Sequence, residues 1–185
     1  GATEGPDGTL DGLVAAAKRY EAAGFDNLWM ANIFGLDAIN ALGIVGRETS
    51  RIGLGTAVVP TYPRHPVAIA QQALTTQAAS KGRFSLGIGL SHKIVIENMF
   101  GFSYEKPARH MKEYLEVLAP LCRGEGAAFQ GEQYKVAAQL QVPGATRVPI
   151  LVAALGTVML KLTGRLADGT ITWMTGPKTL ETHII

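Results

Sequence analysis

Cysteine is almost absent. Cys122 is the only one in 185 residues, so no internal disulfide can form, which fits the reducing cytoplasm. Long apolar runs are missing as well. None approaches the roughly 18 residues of a membrane-spanning helix, and no signal peptide is visible. Charged residues make up only 17% of the chain, with a net charge of +2. No cluster of Lys and Arg offers a basic footprint for nucleic acid or an anionic membrane. Four scattered histidines, without H-x-x-x-H or C-x-x-C spacing, give no case for a metal. There is no G-x-S-x-G elbow of a hydrolase. Gly87-Ile-Gly89 lacks the third glycine of a dinucleotide fingerprint, and no acidic residue follows at the fitting distance.

What is present is apolar. Hydrophobic residues reach 47%, which suggests parallel strands buried on both faces. Arg51–Pro66 organises the chain: a strand over Ile52–Val59 runs into the loop Pro60-Thr-Tyr-Pro-Arg-His-Pro66 and then into a helix. Gly53, Gly55 and Ala57 are small residues inside that strand, a sign that something large approaches the backbone. A strand, a polar loop and a helix make the unit of an α/β protein, with its chemistry at the loop.

The pattern repeats along the chain. Leu10, Leu13, Val14 and Ala17 give Thr9–Ala23 one apolar helical face. Asp7 or Thr9 caps it and Gly24 closes it. A short strand over Asp26–Ala31, a helix over Asp37–Thr49, a helix over Pro66–Ser80 and a strand over Phe84–Leu90 follow. Ser91–Ser103 reads as irregular. Pro107–Arg123 is the clearest helix, kinked or shortened by Pro120. Within 124–147, alternation around Gly131 reads as a hairpin excursion. Val148–Ala153 is a strand, Val158–Ala167 a helix, Asp168–Met174 a strand, and Thr175-Gly-Pro177 opens a last helix. On this pattern a doubly wound sheet and a (β/α)8 barrel both remain open.

Several stretches in order resemble the bacterial luciferase-like superfamily, in particular its coenzyme F420-dependent oxidoreductases. They are Gly24-Phe-Asp-Asn-Leu-Trp29, Ser50-Arg-Ile-Gly-Leu-Gly-Thr-Ala57, Arg64-His-Pro66 and Gly82-Arg-Phe-Ser-Leu-Gly-Ile-Gly89. Glu113-Tyr-Leu-Glu-Val-Leu118, Ala153-Ala-Leu-Gly156 and Ala167-Asp-Gly169 complete the set. The resemblance implies a (β/α)8 TIM barrel. Residues 1–185 are then expected to be one partial domain, about strands two to six of eight, belonging to a longer protein.

The resemblance also implies a site at the C-terminal ends of the strands. Family members carry a non-prolyl cis peptide in a bulge of the third strand, against one face of the ring. The matching bond is Ala57–Val58; from the residues alone an ordinary trans strand fits as well. Asn32, Ser91 and His92 end strands beside it. Asn32 can hydrogen-bond the ring or substrate. His92 is a candidate for ring binding or proton transfer, with Glu97 in reserve. Ala154, Leu155, Gly156 and Thr157 would face the phosphate tail at a helix start, joined by Thr175 and Gly176; a plain helix cap is the alternative. Arg64 and His65 are read as fixing the turn, Cys122 as core, and Met99–Phe102 as a lid or as core. The expected function is hydride transfer between coenzyme F420 and a small organic substrate, in a cytoplasmic homodimer. The alternatives are an FMN-dependent monooxygenase and a non-catalytic barrel remnant.

Overall fold

Thr9 starts the first helix of the computed structural model, which describes residues 8–184; Asp7, the other candidate cap, lies outside them. The Thr9 hydroxyl accepts from the Gly12 N–H at 3.0 Å, and α1 (Leu10–Ala22) buries Leu13, Ala16 and Ala17. Gly24 closes the helix with φ +86°. Strand and helix then alternate: β1 (Asn27–Met30), α2 (Ala38–Glu48), β2 (Gly53–Thr56), β3 (Val59–Pro60), α3 (Pro66–Ala79), β4 (Phe84–Gly89) and α4 (Pro107–Cys122). An antiparallel hairpin follows, β5 (Ala127–Gln130) with β6 (Lys135–Ala138). The chain continues as β7 (Ile150–Ala153), α5 (Thr157–Leu166), β8 (Gly169–Ile171) and the short turn α6 (Pro177–Thr179).

The main sheet runs β1-β2-β4-β7-β8, all parallel, with β3 also paired to β4. Leu28, Leu54, Leu86, Ile88 and Val152 point to the helix-covered face and are buried. They meet Ile39, Leu42, Ile69, Tyr114 and Leu118 from α2, α3 and α4 in one core. This is an arc of a (β/α)8 barrel, and every strand ends on the same rim. Among the described residues no ladder joins β1 to β8.

The strand expected over Ile52–Val59 is broken in two. Gly55 faces Ser85 on β4, whereas Val59 faces Ile88. Four steps along one strand thus match three on its neighbour, which is a bulge. Thr56 stabilises it. Its hydroxyl donates to Gly87 O and accepts from Gly87 N–H, both at 2.8 Å, in place of backbone partners. Gly87 must be glycine here, because a Cβ would stand 1.9 Å from Thr56 O. At Gly55 the approaching group is the chain's own Trp29, whose ring would lie 2.2 Å from an added Cβ. The small residues at this point therefore make room for barrel-interior packing.

Two further expectations are corrected. Ser91–Ser103 is not irregular throughout: Val95–Met99 forms a π-helical turn, with the Phe100 N–H donating to Val95 O at 3.2 Å across the five-residue step of that helix. The strand expected over Asp168–Met174 stops at Ile171, and Met174 adopts φ +51°, which no ladder can continue. Pro120 stands in the last turn of α4, which ends two residues beyond it at Cys122, one short of the expected Arg123.

Candidate active site

A cavity of about 690 Å³ opens at the strand ends. It brings together Asn32, Ala57, Val58, Ser91 and His92, five of the residues singled out from the sequence. Asn32 follows β1, and its Oδ1 accepts from the Ala38 N–H at 3.0 Å. That bond fixes the side chain at the start of α2 and leaves the amide nitrogen as its free donor. Ala57 and Val58 sit in the bulge, and the peptide bond between them is cis. The Ala57 N–H donates to Met30 O at 2.8 Å. Ser91 has φ +63°, a left-handed conformation rare for serine. The Tyr104 hydroxyl holds it there by donating to Ser91 O at 3.1 Å. His92 begins the following turn with its ring exposed.

The cavity also recruits residues that sequence reasoning had not assigned to it: Arg64, Phe34, Val95 and Trp173. Arg64 does fix its loop, as expected. Its Nη2 pairs with Asp37 Oδ2 at 2.7 Å, and its carbonyl accepts from the Tyr114 hydroxyl at 3.0 Å. The same guanidinium lines the cavity wall. Its sequence signal was a lone cation in a loop, and Asp37 lies 27 positions away. Trp173 is 77% exposed; a bare indole at a strand end was the signal to follow. His65 caps α3, its Nδ1 accepting from the Val67 N–H at 3.3 Å. Of Met99–Phe102, Phe100 reaches this cavity.

Among the described residues no carboxylate lines the cavity. Asp37 stands behind Arg64. Glu97 is turned away toward Lys93 Nζ at 3.8 Å and the Tyr104 N–H at 3.4 Å. Among the described lining residues His92 is therefore the side chain of the general acid–base type.

The remaining candidates lie on the same rim, outside this cavity. Ala154 is buried; Leu155, Gly156 and Thr157 are exposed at the start of α5. That helix has no side-chain cap, and open space surrounds the point where a Gly156 Cβ would stand. The Thr175 hydroxyl donates to Thr172 Oγ1 at 2.7 Å, and Gly176 is exposed before α6. Cys122 is fully buried, and burial pushes its thiol up to about 12. Among the described residues no group of three His, Cys, Asp or Glu side chains could hold a metal, and no helix is long and apolar enough to cross a membrane.

A planar heteroaromatic cofactor needs apolar backing and hydrogen bonds at its edge. Val58, Val95, Phe100 and Trp173 supply the first; the Asn32 amide and the Ser91 hydroxyl supply the second. The lining residues fit such a group. The model of the luciferase-like monooxygenase family matches residues 1–184. The chain belongs to that family. One relative, the 5,10-methylenetetrahydromethanopterin reductase of Archaeoglobus fulgidus, is 32% identical over 179 residues, covering 95% of this chain and 53% of the relative. The coenzyme F420-dependent tetrahydromethanopterin reductase of Methanopyrus kandleri superposes with a TM-score of 0.80 at 24% identity, over 97% of this chain and 56% of that one. The FMN complex of the oxygenating constituent of 3,6-diketocamphane monooxygenase from Pseudomonas putida gives 0.73 at 14% identity, over 90% and 53%. The two structures establish the luciferase-like barrel fold. The chain spans about half the length of these relatives.

Proposed function

We propose that the intact protein is an oxidoreductase that transfers a hydride between coenzyme F420 and a small organic substrate. The observation that carries this reading is the cavity at the bulge, apolar on its walls and free of carboxylates. The methylenetetrahydromethanopterin reductase relative supports the reductase branch. When bound, the deazaflavin supplies the hydride-exchanging carbon. The chain's own residues do the rest. Ala57 and Val58 back one face of the ring. The Asn32 amide nitrogen donates to the ring edge or to the substrate. Ser91 is held by Tyr104 and offers its hydroxyl to the same edge. His92 gives or takes the proton that accompanies hydride transfer. Phe34, Phe100 and Trp173 exclude water. Ala154, Leu155, Gly156 and Thr157 hold the phosphate tail at the start of α5, with Thr175 and Gly176 beside them. The same proposal takes the intact protein as a cytoplasmic homodimer.

Fluorescence titration of the full-length protein with F420, and with FMN in parallel, tests the reading. Micromolar binding of F420 with FMN ignored is the expected result. A preference for FMN moves the protein to the monooxygenase branch. Binding of neither overturns both readings and leaves a non-catalytic barrel.

A further inference from the structure

A second cavity, of about 620 Å³, lies across the Arg64 loop from the first and shares Pro63 and Arg64 with it. Arg64 and His65 from the β3–α3 loop line it, with Lys106 ahead of α4, His110 on α4 and Gln133 in the hairpin turn. Four of the polar side chains here, Arg64, His65, Lys106 and Gln133, either have their acceptor atom engaged or carry none. His65 Nδ1 accepts from the Val67 N–H, so its Nε2 carries the proton and remains a donor. Gln133 Oε1 lies 3.0 Å from His110 Nδ1, and the Thr61 hydroxyl lies 2.9 Å from His110 Nε2. The amide oxygen can only accept, so Nδ1 carries the proton and Nε2 accepts from Thr61. Gln133 is left with its NH2 group. Asp37 engages one guanidinium nitrogen of Arg64 out of five N–H donors. The nearest carboxylate to Lys106 is Glu132 at 4.0 Å, itself paired with Arg109.

Four side chains thus turn spare N–H donors toward one space. Glu105 and Glu132 also reach the cavity, exposed as His65, Lys106 and Gln133 are, and Glu132 is paired with Arg109. The nearby charges balance, so selectivity comes from hydrogen-bond polarity. A ligand group rich in acceptor oxygens matches it, and a carboxylate does so with charge-assisted bonds.

We propose that the second cavity binds a carboxylate on an arm of the substrate, which reaches it past Arg64 while the reacting end stays in the first cavity. Only the assignment to the substrate rests on the hydride-transfer reading, since carboxylate binding can be measured without any cofactor. The test is calorimetric titration of the full-length protein with glutarate, beside the uncharged glutaramide. Glutarate is expected to bind and glutaramide to bind at least about tenfold more weakly. Gln133→Glu keeps an oxygen for His110 and places a second where the NH2 stood; it is expected to abolish glutarate binding with little change in melting temperature. Lys106→Gln, on an exposed side chain, is expected to weaken binding about tenfold. Equal binding of glutarate and glutaramide, or unchanged glutarate affinity in both variants, overturns the proposal. A repeat at saturating F420 separates the sources of the carboxylate or phosphate. Retained glutarate binding supports a substrate arm, whereas competition gives the cavity to the cofactor's tail and overturns that assignment. If F420 fails to bind but glutarate does, the hydride-transfer reading falls and the carboxylate site stands.

Discussion

The two ends of the sheet use their polar side chains in opposite ways. At the N-terminal end of the strands those groups hold the chain. The Glu21 carboxylate accepts from the N–H groups of Ser50, Arg51 and Ile52 and from the Ser50 hydroxyl, at 2.9–3.1 Å. Arg83 donates to the carbonyls of Gly46, Thr49 and Ile52, closing the end of α2. Asp168 accepts from the Ile150 N–H at 2.8 Å and pairs with Arg147. At the C-terminal rim the Asn32 amide nitrogen and the His92 ring stay free and face a cavity. One end holds the chain together and the other leaves donors free over a cavity, the division of labour general to such barrels.

That division can be broken residue by residue. The largest loss of stability is expected for Arg83→Met, which leaves the carbonyls at the end of α2 without their cation. It should cost on the order of 3 kcal/mol, read as the shift in denaturation midpoint at constant m-value. Thr56→Val comes next. The hydroxyl is fully buried and serves both backbone groups of Gly87, so its loss should cost about 2 kcal/mol. Because it stabilises the bulge, it should also weaken cofactor binding, and a change in stability alone would separate the bulge from the site.

Glu21→Gln should cost about 1–2 kcal/mol near pH 7. Its pH dependence has a definite sign. Backbone N–H bonds from Ile52 and Arg51 lower the Glu21 carboxyl from 4.5 to about 2. The stabilisation is therefore fully present above the ordinary value and is lost as pH falls toward 2. Wild type should lose more stability than the variant between those values, and parallel curves would remove Glu21 from the account. The smallest effect on stability belongs to the rim: His92→Ala should change it by less than about 0.5 kcal/mol while lowering turnover about 100-fold. A large loss of stability there would erase the contrast between the two ends.

How legible each region was follows the same line. Helix α4 could be read because Met111, Leu115, Leu118 and Cys122 repeat at helical spacing, and all are buried. The parallel alternation and the cap at Thr9 were equally local signals. The break after Thr56 was not readable from the residues, since Ile52–Val59 looks like any buried strand; the bulge depends on a hydroxyl meeting a backbone 31 positions away. Resemblance to a family supplied the cis bond at Ala57–Val58 where periodicity could not. Arg64 was read as a loop anchor and proved to be that and a cavity wall too, because one side chain with several donors can serve both. Gly53 and Gly55 were read as room for an approaching group and proved to make room for Asn27 and Trp29, because pattern reports space and not what fills it.

The most direct test of the central claim is a crystal structure of the full-length protein soaked with F420. The account predicts the deazaflavin ring in the cavity at the strand ends, one face against Ala57 and Val58, with Asn32 and Ser91 at its edge and His92 within reach of the reacting carbon. A ring bound elsewhere on the barrel, with that cavity filled by side chains, would contradict it.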